Sequence, residues 1–130
     1  MHRLLAVLLC IIAVDAEAAD HRLRGFWNIE APSDPGFSGQ ITIDAEGRAA
    51  FRGSSVTLGK SAQSRGYVSL LIDTKAEITL TDGKVAARVR CEIQSPNVMN
   101  CDDVGAEGRV SPLYTLRRVG PGPSSLLASQ

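Results

Sequence analysis

Residues 85–93 alternate with a period of two. Val85, Ala87, Val89, Cys91 and Ile93 share one face, and Ala86, Arg88, Arg90 and Glu92 share the other. Successive side chains of a strand point to opposite sides, so this pattern predicts a strand with one face toward a core and one toward water. The run before it behaves alike, with Ile78 and Leu80 alternating with Glu77, Thr79 and Thr81. Asp82-Gly83 lies between the two runs. Asp-Gly between alternating segments predicts a tight hairpin, because a two-residue type I′ turn needs positive φ at both central positions. The register this implies pairs Thr81 with Lys84 outside and Leu80 with Val85 inside.

Further segments obey the same rule. Residues 26–30 form a first strand, ended by Pro32. Residues 39–44 carry Ile41 and Ile43 on one face, a turn follows over residues 44–47, and residues 48–52 return with Ala49 and Phe51 inward. Val56 and Leu58 mark another short strand, and residues 61–66 read as a polar connection. Val68, Leu70 and Ile72 alternate next, with Leu71 breaking the polarity, and residues 113–119 supply a last strand. No stretch beyond the first eighteen residues carries a helical stripe. Seven or eight short strands joined by tight turns predict an all-β domain. It is a small antiparallel up-and-down β-barrel or, alternatively, a β-sandwich. Closure would remove the exposed edges such a chain otherwise presents.

The first eighteen residues break the pattern. A basic start at Met1-His2-Arg3 leads into an apolar run from Leu4 to Val14, and Ala16-Glu17-Ala18 places small residues where a signal peptidase cuts. Residues 1–18 are therefore read as a secretory signal peptide. About eleven apolar residues are too few to span a bilayer of roughly 30 Å. The expectation is a periplasmic or secreted protein with no stable membrane span in the mature chain. Cleavage after Ala18 is the first choice and cleavage after Ala16 the alternative. Cys10, preceded by Leu9, falls within the discarded peptide.

Residues 19–130 are the size of one domain, with the barrel over residues 19–119. The tail at residues 120–130 opens with Gly-Pro-Gly-Pro-Ser-Ser and is expected to be disordered. The whole chain carries 14 basic and 14 acidic residues. Removing Arg3, Asp15 and Glu17 leaves it near neutral, without the one-sided basic charge that marks nucleic-acid binding. Two cysteines remain after cleavage, Cys91 and Cys101. An even count in an exported domain favours a structural disulfide, and the spacing is not that of a redox-active C-x-x-C pair.

The mature chain has one histidine, His21, in what reads as a loose amino-terminal arm. If cleavage follows Ala18, the chain begins Ala19-Asp20-His21. A free amine, two backbone amides and the third-position imidazole then offer a square plane of nitrogens to Cu(II) or Ni(II). This tripeptide resembles the amino-terminal copper- and nickel-binding motif of albumins. Cleavage after Ala16 abolishes it.

Gly25-Phe26-Trp27 opens the first strand, and Leu116-Arg117-Arg118-Val119 closes the last. In these residues the chain resembles the calycin group, the lipocalins, avidins and their relatives, whose first strand carries Gly-x-Trp. The resemblance implies a barrel in which Trp27 closes the base and Arg117 or Arg118 packs across the indole, a favourable cation–π contact. It also implies binding of small apolar ligands or of proteins, protease inhibition included. The second lipocalin signature, Thr-Asp-Tyr, is absent, and no ligand-contacting residue carries over.

Catalysis finds little support in the residues. His21 is in no position to serve a Ser–His–Asp arrangement. Asp102-Asp103 reads as a solvated turn, Asp73 and Glu77 as an unproven carboxylate pair, and Gly105-Ala106-Glu107-Gly108 as a hairpin turn rather than a phosphate loop. Lys84, Arg88 and Arg90 line an outward strand face. The expectation is a non-catalytic exported binding module without a cofactor, its partner a small apolar ligand or a protein.

Overall fold

In the computed structural model, residues 20–82, 85–105 and 113–127 are described. Eight strands follow one another: β1 (Gly25–Glu30), β2 (Phe37–Ile43), β3 (Arg48–Ser55), β4 (Lys60–Ile72), β5 (Lys75–Asp82), β6 (Val85–Ser95), β7 (Val98–Asp103) and β8 (Tyr114–Gly120). Each pairs antiparallel with the next, and β8 returns to β1, so the sheet is a closed up-and-down barrel. The all-β architecture is as expected, and the barrel is the form it takes. Eight strands enclose a lumen just wide enough to be filled by side chains or to hold one small ligand.

Alternation sets the inside. Trp27, Ile29, Ile41, Ile43, Ile78 and Met99 are buried and pack as one core. The disulfide joins Cys91 on β6 to Cys101 directly opposite on β7, both inside the lumen. Reducing it under native conditions should lower unfolding free energy by about 2–3 kcal/mol. A urea titration with and without reductant checks this.

Three local readings are corrected. The β5–β6 hairpin pairs Asp82 with Val85 and Thr81 with Ala86, so Leu80 faces Ala87 rather than Val85. The shift is by two residues, which leaves Leu80 and Thr81 on their expected faces; hydrophobic alternation cannot tell the two registers apart. The turn residues Gly83 and Lys84 lie outside the described residues. Val56 and Leu58 belong to the β3–β4 turn, not to a strand. They are 83% and 67% exposed, and the Gly59 amide closes the turn on the Val56 carbonyl at 3.2 Å. Residues 61–66, expected as a connection, are the first half of β4 and pair with β3 from Lys60 to Tyr67. That half carries small and polar side chains, so no apolar period announced it. Leu71 breaks the β4 alternation because the ladder shifts between Leu70 and Ile72.

The connections after β2, β4 and β6 gather at one pole, which both described ends of the chain close. The buried Asp44 carboxylate organises it, accepting from the amides of Glu46, Arg48 and Leu126 and from Arg48 Nε, each at 2.9 Å. Leu126 is 7% exposed, and the Ser125 hydroxyl accepts from Arg48 at 3.0 Å. Residues 120–127 are thus docked against the barrel, contrary to the disordered tail expected. Their Gly and Pro residues preclude regular structure, but a single apolar side chain and satisfied backbone amides suffice to anchor them. Residues 128–130 lie outside the described residues.

Candidate functional site

The amino-terminal arm is also folded into this closed pole. The His21 amide donates to the Ala45 carbonyl at 2.6 Å, and His21 Nδ1 accepts from the Leu23 amide at 3.1 Å. Burial first, and then the Arg22 charge, hold its imidazole below the ordinary histidine value. An amino-terminal metal chelate would need that amide nitrogen and that ring nitrogen, so the folded turn occupies two of its four donor atoms. Asp20 is ion-paired to Arg24 at 3.0 Å. Ala19 and residues 1–18 lie outside the described residues. No group of three or more metal-ligating side chains occurs among the described residues.

Trp27 is fully buried on β1, its indole N–H donating to the Leu23 carbonyl at 2.9 Å. Arg118, opposite it on β8, lies over the ring with its guanidinium carbon 4.6 Å from the centroid, and donates to the Arg22 carbonyl. Burial pushes the Arg118 value down. Arg117 points outward and pairs with Glu30. Of the two arginines named from the sequence, Arg118 caps the indole, because it shares the inward parity of Leu116.

The opposite half of the lumen, toward the β1–β2 and β3–β4 connections, is less filled by the described residues. A cavity of about 200 Å³ lies in this half of the lumen. Its walls are aliphatic: Ile29, Ile41, Ile78, Leu80, Val89 and Leu116. The Phe37 and Phe51 rings fold back over Gly39 and Gly53, which have no side chain of their own, and face the same space. Trp27, Leu23, Ile43 and Met99 fill the other end, whereas Ser64 and Ala87 are small residues in the wall here, and that difference in volume leaves the cup.

Two polar groups interrupt the apolar wall. Tyr114 donates its hydroxyl to Asp103 Oδ2 at 3.2 Å. Asp103 has the inward parity of Met99 and Cys101, and Tyr114 that of Leu116. Burial first, then the Asp103 charge and the hydrogen bond to it, raise the Tyr114 phenol above its ordinary value, so it stays a neutral donor. The pair was not read from the sequence. Asp102-Asp103 looked like a solvated turn, but β7 runs through both. Asp102 faces the other way, accepting from the Leu113 amide at 2.9 Å, and Asp103 is carried inside. The available signal was its position two residues after an inward cysteine.

The outer face holds a second concavity, a polar trough of about 760 Å³ across β1–β4, lined by Asn28, Gln40, Arg52, Ser54 and Gln63 among others. It continues over β2–β5. The Arg88–Arg90 face read from the sequence is partly neutralised: Glu77 accepts from Arg88 at 2.9 Å and from Arg90 at 3.1 Å. Both arginines hold the Glu77 carboxyl below its usual range. Its two carboxylate oxygens are thus engaged by arginines. Gly105 sits in a turn, and Ala106-Glu107-Gly108 lie outside the described residues.

No known family model matches the chain, and no curated protein shows significant sequence similarity to it. No helix among the described residues is long and apolar enough to cross a membrane.

Proposed function

We propose that this chain is an exported, non-catalytic binding module that holds a small apolar ligand in the cup between Phe37, Leu80 and Tyr114. The cup itself carries the reading. It is an apolar concavity inside a closed barrel, with a few converging polar groups, as small-molecule sites are built. At about 200 Å³ it falls below the roughly 300–1,000 Å³ of drug-sized sites, which suits a single ring or a short alkyl chain. The apolar leader-like run at residues 4–14 and the disulfide support a periplasmic or secreted setting. The likeness to calycins in Gly25-Phe26-Trp27, with Arg118 over the indole, supports the same kind of module.

Titration of the isotope-labelled protein with benzyl alcohol, followed by amide NMR shifts, tests the reading. The expected shifts cluster at Leu80, Val89, Asp103 and Leu116. Ala87→Leu should abolish them while leaving thermal stability unchanged or raised, because it fills space that is empty. Shifts confined to the outer face would overturn the proposal.

One observation favours a second reading, a protein-interaction factor of protease-inhibitor type. The β3–β4 turn thrusts Val56 and Leu58 into solvent at the rim, beside the polar trough. In that case Val56→Asp with Leu58→Asp would abolish capture of a protein partner, and Ala87→Leu would not.

A further inference from the structure

Asp103 is out of keeping with its surroundings. Among the described residues it is the one carboxylate facing the cup; Asp44 serves the other pole and Glu77 the outer surface. Among the described residues it receives one side-chain hydrogen bond, from Tyr114. No lysine or arginine among the described residues pairs with it, although six ion pairs are formed elsewhere among them. An ionised carboxylate accepts about four hydrogen bonds, so Asp103 keeps most of its capacity. A purely hydrocarbon ligand would strip water from that carboxylate and return nothing, a costly arrangement. An anion would be repelled. A metal ion would find a single carboxylate and no cluster. Three aromatic rings, Phe37, Phe51 and Tyr114, also border the cup, and aromatic faces attract cations.

We propose that the ligand is a compact hydrophobic ammonium, an aryl- or alkylamine whose N–H donors meet Asp103 while its hydrocarbon body fills the cup. The proposal rests on the ligand-binding reading of the cup and adds its chemical class. Asp103 supplies a charge-assisted acceptor, the strong kind of hydrogen bond. Tyr114 fixes the orientation of the carboxylate by holding Oδ2. The aliphatic wall selects size.

Three near-isosteric probes, benzylammonium, benzyl alcohol and benzoate, separate the possibilities when titrated at pH 7 into the wild-type protein and Asp103→Asn. Benzylammonium should bind at least about tenfold more tightly than benzyl alcohol, with benzoate weakest. Asp103→Asn should erase the preference for benzylammonium and leave benzyl alcohol within about twofold. Tyr114→Phe keeps the carboxylate, so it should keep the preference and serves if Asp103→Asn fails to fold. Equal or tighter binding of benzyl alcohol by the wild type, or an unchanged preference in Asp103→Asn, would overturn the ammonium proposal and leave the cup reading standing. Failure of all three probes to bind would overturn both.

Discussion

Replacing Gly66 by alanine is expected to prevent the barrel from forming. A Cβ at this position would lie 1.7 Å from the Thr79 carbonyl oxygen and 3.0 Å from Leu80 Cα. Those atoms are backbone of β5, the strand to which Gly66 is paired. Relief would require β4 and β5 to separate by more than an ångström at a point where both carry inward core residues, Val68 and Leu80. A flexible neighbour could rotate away; a hydrogen-bonded strand cannot. The loss should exceed about 4 kcal/mol, in the range of exceptional single substitutions. Circular dichroism and Trp27 fluorescence in a urea titration would report it. Gly59→Ala is the instructive control. Its φ of 62° is unfavourable for alanine, but nothing lies within 4 Å of the added methyl. The cost there should be about 1–2 kcal/mol. Comparable stability of the two variants would refute the close-approach account.

Asp44→Ala should produce the second large effect, about 3 kcal/mol. The carboxylate is fully buried and serves four donors drawn from the β2–β3 turn, β3 and the carboxy-terminal segment. Its removal leaves the Arg48 guanidinium and three amides short of an acceptor. Partial exposure of Arg48 keeps the cost below that of a fully buried pair. Burial alone would raise the Asp44 carboxyl, but hydrogen bonds from Leu126, Arg48 and Glu46 and the adjacent guanidinium outweigh it and hold the group below its ordinary value. A carboxyl held low in the folded state stabilises it at every pH above the unfolded value, about 3.9. The stabilisation disappears as pH falls through the folded value. Wild-type unfolding free energy should therefore decline below about pH 4, and Asp44→Asn should decline less. Parallel acid profiles for the two proteins would rule out Asp44 as a source of the decline.

Alternation made the barrel legible, because a half-buried strand repeats every two residues whatever its neighbours are. The disulfide was legible from the two cysteines that lie beyond the leader-like run, and the arginine–Trp27 contact from the calycin resemblance, which left Arg117 and Arg118 both open. Three things were not. The first half of β4 has no apolar period, since it flanks the emptier end of the lumen and faces it with Ser64 and Gly66. The hairpin register shifted by two, a change that period-two alternation cannot detect. The Asp103–Tyr114 pair was hidden because a carboxylate on an inward strand position violates the very rule used to find strands.

Residues 20–24 and residues 121–127 meet at one pole although they bracket the barrel in sequence; Arg24 Nη2 donates to the Gly122 carbonyl at 3.2 Å. Any anchor, label or fused domain joined ahead of residue 20 or beyond residue 127 would therefore depart from the side opposite the cup. A tethered form would present the cup to solvent, and a circular permutant with a short linker across this seam and new ends in the β3–β4 turn should still close its sheet.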